Sequence, residues 1–451
     1  MKTDKALTRP LTRKDVFWGA LPIMLANTGV PIAGFVDTWV IGNYVGKAAL
    51  AGIGLGATVF GIFYWGFGFL RMSTAGLSAQ ADGANSQRDV QAHLYRAVPM
   101  GFVIGVLLLL SQVLTVGVLM KFFPAENDVA NGARTYISAR LWGLPATLSS
   151  IALMGWFIGL ARPKRALYMQ IILNVINAPL SILFVKGFGW GLFGVGIASA
   201  IAEWCGLAAG LWLAAREIKT RGGYDAAAAK LSSLLHMPAL KRLGTANMNI
   251  FIRTLALTFG FSFFARAATI QGTTFLAAHT VLLQFITLIA LVLDSFAHVA
   301  EAHVGAAFGA KDERRFDRAV RLTTEFSFVF AVLCGVAAIV FGPLMIDLIT
   351  KSPDVRETAR AFLPYCALAP VVGFGAWQLD GIFIGITRTR AMRNAGVAAV
   401  LIYLAAHYVL APRYGGAGVW MAFLVYYVAR GATMLPAWAG IKRDLKTGVS
   451  A

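Results

Sequence analysis

A single carboxylate, Asp37, lies within the apolar stretch GFVDTWVIG at residues 34–42. No charged residue occurs between Asp15 and Asp37. Removal from water disfavours the charged form of a carboxyl group, so such a group can take up and release a proton near neutral pH. Asp37 is therefore a candidate proton carrier. The alternative is a structural carboxylate that is hydrogen-bonded to a neighbouring helix.

Polar side chains that could bind this carboxylate occur in two later apolar stretches. Asn174, Asn177 and Ser181 are spaced by three and four residues, which places them on one helical face. Ser199 follows in the next stretch. Together with Asp37, the oxygens of Asn177, Ser181 and Ser199 could also surround a sodium ion. Hydrogen bonds that only hold helices together are the alternative for each residue.

Two prolines, Pro22 and Pro31, precede Asp37 in the same apolar stretch. Proline inside a helix removes a backbone hydrogen bond and favours a kink, and the freed carbonyl needs another partner in a membrane. We therefore predict a helix that bends near Asp37.

The second half of the chain holds a different set of polar residues within apolar stretches: Arg253, Asp294, Glu301, His303 and Asp380. Charges in such surroundings are tolerated best as ion pairs. For Arg253, Asp294 and Asp380, a structural ion-pair network and a direct transport role both remain open. Glu301 and His303 fall near one end of their stretch, where gating or packing is expected.

These residues must be positioned by membrane-spanning helices. The chain has 451 residues, of which 58% are hydrophobic and 14% charged, whereas soluble domains average about 25% charged residues. Apolar runs of about 20 residues, the length that a bilayer requires, recur throughout. The sequence therefore predicts an all-α polytopic membrane protein.

The formal net charge of +19 is distributed in a way that argues against nucleic-acid binding. Basic residues cluster in alternate gaps between the apolar segments, for example at residues 2–14, 162–165, 216–242 and 388–393. By the positive-inside rule, these gaps and both termini are cytoplasmic. The excess charge would face anionic lipid headgroups. We expect a multi-pass protein of the plasma membrane, by its pattern the bacterial inner membrane.

Twelve spans fit the pattern, and the two halves of the chain repeat each other. The stretch FIGLARPKRA (157–166) matches FIGITRTRAM (383–392), and the same offset places residues 82–89 on 308–315. Six spans per half return the chain to the same side, so we predict two parallel, pseudo-symmetric six-helix bundles. Their predicted bounds are 1–218 for the N-terminal lobe, 219–237 for a flexible cytoplasmic linker and 238–451 for the C-terminal lobe.

Enzyme motifs fail on spacing or context. GNYVGKA (42–48) is one residue short of a phosphate-binding loop and has Ala48 where Ser or Thr is needed. GWGLFG (189–194) satisfies the glycine pattern of dinucleotide sites but lies in a short hairpin, where tight packing explains the glycines. The three cysteines have no paired spacing and suit apolar packing. We expect no enzyme activity, no cofactor and no bound metal.

The segments at 21–42, 70–84, 293–312 and 379–395 resemble the DinF-like branch of the multidrug and toxic compound extrusion (MATE) family, and the resemblance covers nearly the whole chain. It implies a V-shaped pair of six-helix lobes that exports amphipathic or cationic organic compounds by alternating access, in exchange for protons or sodium ions. The implied coupling residues are Asp37, Asn174, Asn177, Ser181 and Ser199. The implied partners are small organic substrates and membrane lipids, and we expect a monomer.

Two positions depart from the family pattern. Many relatives carry a second acid where this chain has Ser181, and losing a negative charge weakens a sodium site more than a proton site. We therefore favour the proton over sodium as the coupling ion. Asp82 replaces an apolar residue and is expected to be a solvated or headgroup-level charge. A flippase of lipid-linked precursors, from the same superfamily, is the remaining alternative, but it should have more basic residues in its spans.

Overall fold

The computed structural model describes residues 10–112, 116–117, 120 and 126–447. Within these ranges the chain is almost entirely α-helical and contains no β-strand. The predicted all-α class is therefore confirmed. The chain divides into two compact units.

The first unit spans Leu21–Arg242. A π-helical turn, Leu183–Gly187, extends its seventh helix. Two single-turn helices end the unit. Its helices are α1 (Arg13–Tyr44), α2 (Lys47–Gly66), α3 (Phe69–Gly83), α4 (Gln87–Leu110), α5 (Asn127–Leu141), α6 (Leu144–Gly159), α7 (Pro163–Ile182), α8 (Gly191–Thr220), α9 (Ala226–Ala229) and α10 (Leu231–Leu234).

The second unit comprises Leu243–Ala451 together with Leu7–Ala20, as far as the structure describes these ranges. Apart from the short α16, its helices are longer than those of the first unit. They are α11 (Met237–Ile270), α12 (Thr273–Gly309), α13 (Glu313–Ile349), α14 (Pro353–Gly385), α15 (Thr389–Ala432) and the short α16 (Ile441–Thr447).

The first turns of α1 group with the second unit, whereas the sequence placed all of 1–218 in the first. Two polar contacts account for this. Arg13 Nη2 lies 2.7 Å from Glu325 Oε1 on α13, and Arg318 Nε donates to the carbonyl of Leu11 at 2.6 Å. A single long helix therefore contributes residues to both units.

The helices correspond to the predicted spans. Ten helical segments of the described chain are long and apolar enough to cross a membrane, and α5 with α6 forms an eleventh that is bent by 58°. A straight helix with the 44 residues of α15 would be about 66 Å long, roughly twice the thickness of the hydrocarbon core. Its backbone leaves the helical conformation at Gly415 (φ 54°, ψ −129°), which divides it into two spans. The end of the third predicted span, 92–122, lies partly outside the described residues.

The sequence repeat reappears as a repeated close contact between helices. Gly155 of α6 packs against the backbone of Arg71 in α3, and Gly381 of α14 packs against the backbone of Ala297 in α12. A Cβ atom at either glycine would overlap the partner's backbone. Small residues allow membrane helices to approach this closely. The two pairs are separated by the same offset that relates 157–166 to 383–392.

The turns that follow these helices repeat at that offset as well. Asn85 and Lys311 both have φ of 56°, in the left-handed region that non-glycine residues rarely adopt. The next residue caps the following helix in both cases, because Ser86 Oγ accepts a hydrogen bond from the backbone of Asp89 and Asp312 Oδ1 accepts one from the backbone N–H at position 315. The same local unit is thus built twice from different residues.

The segment 219–237 was predicted to be a flexible linker, whereas the structure shows much of it folded. It contains α9 and α10, and one side chain holds it against α4. Gln91 Nε2 donates to the Gly223 carbonyl at 2.9 Å, and Gln91 Oε1 accepts from the backbone N–H of Asp225 at 3.0 Å. The Asp225 carboxylate also caps α9. These bonds tie the backbone of the segment to a helix.

Asp82 was predicted to be a solvated or headgroup-level charge, and the solvated alternative is wrong. It forms an ion pair with Arg221 and only 11% of its side chain is exposed. Arg221 also binds Glu217, whose buried carboxylate lies 2.8 Å from Arg162 and 2.6 Å from Arg165. Burial lowers the pKa of Arg221, but the two carboxylates more than reverse this, so that its pKa lies above the usual value. This cluster ties the start of the connecting segment to the first unit.

The surfaces and cores suit a membrane protein. Large apolar side chains, among them Phe35 and Leu348, lie on the outside, where lipid rather than water is the expected neighbour. The core of the second unit is aromatic, and the rings of Phe264 and Phe423 stack at a centroid distance of 3.7 Å. Trp420 packs edge-on against Phe264. This packing holds together the helices that carry the charged residues of that unit.

Candidate functional site

Asp37 lies inside the first unit with 3% of its surface exposed. Both of its carboxylate oxygens accept hydrogen bonds from serine hydroxyls. Ser181 Oγ donates to Oδ1 at 3.0 Å, and Ser199 Oγ donates to Oδ2 at 3.0 Å. Since α1, α7 and α8 each contribute one of these side chains, the carboxylate joins three helices at one point.

Asn177 extends the cluster by one step. Its Nδ2 donates to Ser199 Oγ at 3.0 Å, so that the Ser199 hydroxyl accepts one bond and donates the other to Asp37. The Asn177 Oδ1 atom is buried and has no hydrogen-bond partner among the described residues. Asn177 and Ser181 are four residues apart on α7 and face the same neighbour, as their spacing predicts. The structure thus brings together four of the five residues proposed for coupling.

Asn174 is the fifth, and it lies elsewhere. Its Nδ2 donates to the backbone carbonyl of Gly29 in α1 at 3.0 Å, and its Oδ1 accepts from Gln170 at 3.4 Å. A Cβ at Gly29 would come within 3.0 Å of the Asn174 amide and closer still to Gln170, so glycine suits this approach. Asn174 therefore fastens α7 to the backbone of α1 and not to the Asp37 carboxylate.

Pro22 and Pro31 both fall within α1, which is helical from Arg13 to Tyr44. Neither residue has a backbone N–H, so the carbonyls of Trp18 and Asn27 lack their usual helical donors. The bending of α1 at these positions stays a prediction.

Three residues next to this cluster escaped the sequence analysis as site residues: Tyr136 and Arg140 on α5, and Glu203 on α8. Arg140 Nη1 donates to the Tyr136 hydroxyl at 2.5 Å, and Arg140 Nη2 lies 3.8 Å from Glu203 Oε1. The positive charge of Arg140 acts on both Asp37 and Glu203. A signal was present, since Glu203 follows Ser199 by one helical turn and is itself a lone acid in an apolar run.

The second unit contains a separate buried ion cluster. Asp380 Oδ2 accepts a hydrogen bond from Arg253 of α11 and another from Arg430 of α15, the latter at 3.0 Å. The guanidinium of Arg430 also lies 5.6 Å from the ring centre of Tyr427. Arg430 was not among the predicted site residues. The arrangement places the carboxylate of α14 between two cations, one on α11 and one on α15.

The other polar residues of that half lie on α12. Asp294 and His303 are partly buried, and Glu301 is buried. The backbone of Glu301 lies where a Cβ on Gly385 would collide with it, so this residue takes part in the close contact of α12 with α14. Among the described residues, no group of three or more His, Cys, Asp and Glu side chains is arranged to hold a metal ion.

Comparison with known proteins gives a consistent result. The family model described as MatE matches residues 22–183 and 249–409. DNA damage-inducible protein F of Escherichia coli (strain K12) is 30% identical over 425 residues, which covers 93% of this chain and 90% of the relative. The probable multidrug resistance protein NorM of Pasteurella multocida (strain Pm70) is 25% identical over 430 residues, covering 90% and 89% of the two chains.

Solved structures share the fold. The Vibrio cholerae MATE transporter VcmN in its bent form aligns with a TM-score of 0.86 over 97% of this chain and 98% of that chain. The sequence identity is 18%, so this likeness concerns the arrangement of helices alone.

Proposed function

The chain belongs to the MatE family and is a membrane transporter, not an enzyme; we propose that it exports small amphipathic or cationic organic compounds in exchange for protons, with Asp37 carrying the proton. The substrate class is suggested by the relative named as a multidrug resistance protein. The proposal rests on one observation above all: Asp37 is buried, and each of its oxygens accepts a hydrogen bond from a neutral hydroxyl group.

Protonation of Asp37 would change these hydrogen bonds. The ionised carboxylate can only accept, whereas the protonated group must donate through one oxygen. Ser199 Oγ already accepts from Asn177, which leaves it one free lone pair, whereas no other donor to Ser181 Oγ is described. Ser181 is the better acceptor, and its own proton would then turn to another partner. Uptake of one proton thereby alters the contact between α1 and α7, which is the kind of local change that alternating access needs.

The same geometry favours the proton over sodium. A sodium site at Asp37, Asn177, Ser181 and Ser199 would contain one carboxylate and otherwise neutral oxygens. Both hydroxyl protons point at Asp37, and the amide nitrogen of Asn177 faces Ser199. A sodium ion would need oxygen lone pairs from several groups, and among these four side chains only Asn177 Oδ1 is without a hydrogen-bond partner in the described part of the chain. A proton requires only that one of these bonds reverse.

The setting of the transporter follows from its helices. It is a multi-pass membrane protein. We propose that it resides in the plasma membrane with both termini in the cytoplasm, as the alternation of basic segments suggests. We further propose that it acts as a monomer, that lipids cover its apolar exterior, and that it needs no cofactor besides the coupling ion.

Transport in inverted membrane vesicles tests this function. A fluorescent organic cation is offered outside vesicles that carry either an imposed pH gradient, acidic inside, or an imposed sodium gradient. We expect uptake with the pH gradient and none with sodium alone. Asp37→Asn should abolish proton-driven uptake. Full proton-driven uptake in this variant would refute the role of Asp37, and uptake driven by sodium alone would refute the choice of ion.

The same helix provides a matched control. Asp15 lies in the first turn of α1 and its carboxylate accepts hydrogen bonds from Thr12, where it caps the helix. Asp15→Asn makes the same chemical change as Asp37→Asn near the other end of α1. We expect Asp15→Asn to retain proton-driven uptake, so that loss in Asp37→Asn can be assigned to the site.

A further inference from the structure

Glu203 is a buried carboxylate whose partners only partly compensate its charge. It is 7% exposed. One oxygen accepts a hydrogen bond from the Thr147 hydroxyl on α6. The other lies 3.8 Å from Arg140 Nη2, which is beyond hydrogen-bonding distance. A buried carboxylate is stabilised when it is both paired and hydrogen-bonded, and here the ion pair is open.

Arg140 does not form a close ion pair with Glu203 because its guanidinium contacts other side chains. Its guanidinium donates to the Tyr136 hydroxyl at 2.5 Å and stacks 4.3 Å from the ring centre of Phe60. Its charge also acts on Asp37. The charge of one cation therefore acts on two carboxyl groups. When Asp37 and Glu203 are both ionised, Arg140 can compensate only one of the two negative charges.

The backbone between α5 and α6 also allows the close approach of Glu203. Gly143 lies at the bend between α5 and α6, and any Cβ there would collide with the Glu203 carboxylate and come within 2.9 Å of the Ala200 Cα. The 58° bend between the two helices brings Arg140 on one side and Thr147 on the other against the same acid. Because Glu203 follows Ser199 by one turn of α8, the acid and a hydroxyl donor to Asp37 share a helical face.

The charged and titratable groups around the pair come from five helices. Those that act on Glu203 are Arg140 on α5 and Asp37 on α1. Glu203 on α8 in turn acts on Tyr136 of α5 and on Tyr64 of α2. Tyr64 also interacts with Arg71 of α3. Both tyrosines are neutral near physiological pH, so the balance between the two acids is governed by Arg140.

We propose that Glu203 is a positioning residue for proton coupling, which sets the pH at which Asp37 exchanges its proton by competing with it for the charge of Arg140. This inference rests on the proposed function, because it assumes that Asp37 carries the coupling proton. The ionised Glu203 makes ionisation of Asp37 more costly, both by repulsion and by engaging the shared guanidinium. The proton leaves Asp37 for water.

Removing the charge of Glu203 and removing the charge of Arg140 should therefore shift the pH at which Asp37 ionises in opposite directions. Glu203→Gln removes a negative charge and frees Arg140 for Asp37, so Asp37 ionises at lower pH. Arg140→Gln removes the compensating charge, so Asp37 ionises only at higher pH. A charge within about 4–6 Å of a carboxyl group shifts its pKa by about one to three units. A role confined to stability would lower the amount of folded protein in both variants and leave the pH dependence unchanged.

The experiment measures proton-driven uptake of a fluorescent organic cation by purified protein in proteoliposomes, as a function of pH, per amount of folded protein. We expect Glu203→Gln to move the midpoint of the pH profile by about one unit toward acid and Arg140→Gln to move it toward alkali. The conservative variants Glu203→Asp and Arg140→Lys, which keep the charges, should stay near the wild-type midpoint.

A matched control lies on the same helix. Glu217 of α8 is buried and is paired with Arg162, Arg165 and Arg221. Glu217→Gln makes the same change in another ion cluster, and we expect it to reduce the amount of folded protein without moving the midpoint. If one of the two test variants fails to fold, the direction of shift in the other still decides the matter.

An unchanged midpoint in Glu203→Gln, or shifts of the same sign in both test variants, would overturn the inference. These outcomes differ from those expected if the proposed function itself is wrong. If it is wrong, the wild-type protein shows no proton-driven uptake, or the Asp37→Asn variant retains proton-driven uptake.

Discussion

The Ser181 hydroxyl lies 3.0 Å from Oδ1 of Asp37 and donates a hydrogen bond to it. At this position the family resemblance implies a second acid in many relatives. The serine therefore supplies a hydrogen bond where a carboxylate would supply charge. A neutral donor stabilises the ionised form of Asp37 without adding a second group that must be compensated.

The first prediction concerns ion choice. Ser181→Asp places a second carboxylate beside Asp37, and two carboxylates in contact favour a bound cation. We expect uptake in proteoliposomes to become stimulated by a sodium gradient. Ser181→Asn, which keeps a polar side chain and adds no charge, is the control and should show no sodium response. A Ser181→Asp protein that is as insensitive to sodium as the wild type would contradict this account of the ion.

The second prediction concerns the other hydroxyl. Ser199→Ala removes a hydrogen bond to the charged form of Asp37, and such bonds contribute about 1.5–3 kcal/mol. Since about 1.36 kcal/mol corresponds to one pH unit, we expect the midpoint of the pH profile of uptake to move by about one to two units toward alkali. Ser138, whose hydroxyl donates to its own helix backbone, provides Ser138→Ala as a control. A shift toward acid in Ser199→Ala would contradict the hydrogen-bond assignment.

The third prediction concerns the repeated glycine contacts. Gly155→Ala and Gly381→Ala both force a methyl group into the backbone of a facing helix, and overpacking of this kind costs about 1–3 kcal/mol. We expect both purified variants to unfold at lower temperature in detergent. Gly54→Ala and Gly375→Ala are the controls, since a Cβ at either site meets no atom within 4 Å. Equal melting temperatures for tests and controls would show that the contacts are looser than described.

The fourth prediction concerns the ion cluster of the second unit. Asp380→Asn leaves Arg253 and Arg430 without their shared carboxylate, and breaking a buried pair costs about 3–5 kcal/mol. We expect a marked loss of thermal stability, with an unchanged pH midpoint in whatever folded protein remains. Asp347→Asn, in a pair that is partly exposed, should cost about 1 kcal/mol or less. A shifted pH midpoint in Asp380→Asn would instead assign this cluster to proton coupling.

Much of the fold could be predicted from the sequence because a membrane limits the possible structures. Helices must satisfy their own backbone, so apolar length alone locates the spans. The predicted MATE family membership, the DinF-like resemblance, the all-helical fold and the assignment as a transporter rather than an enzyme are confirmed. The repeat was also visible in the sequence, as the matching motifs at 157–166 and 383–392. These motifs include Gly159 and Gly385, which each pack against the backbone of a facing helix.

The site was predictable where helical spacing and burial coincide. Asn177 and Ser181 share a face and both reach the Asp37 cluster. Asn174 shares that face too, but it lies almost one turn earlier along α7, about 4.5 Å from Asn177 along the axis. It therefore meets the backbone of α1 at Gly29 instead of the carboxylate. Spacing along one helix cannot show at which height the neighbouring helix presents its functional group.

Contacts between distant segments were not predictable. Arg140 lies near the end of α5, a helix of mixed polarity, and the bend that follows brings Thr147 to the same acid, Glu203. The order of segment 219–237 depends on Gln91, far away in sequence. These features depend on contacts between residues far apart in the sequence, and the local composition does not show which segments meet.

The central claim is that Asp37 gives up a proton when substrate binds. Its most direct test is proton release from the purified protein in weakly buffered solution, followed with a pH-sensitive dye while an organic cation is added. We predict release of protons by the wild type and by Asp15→Asn, and none by Asp37→Asn, although the latter still binds the cation. Equal proton release by wild type and Asp37→Asn would contradict the account.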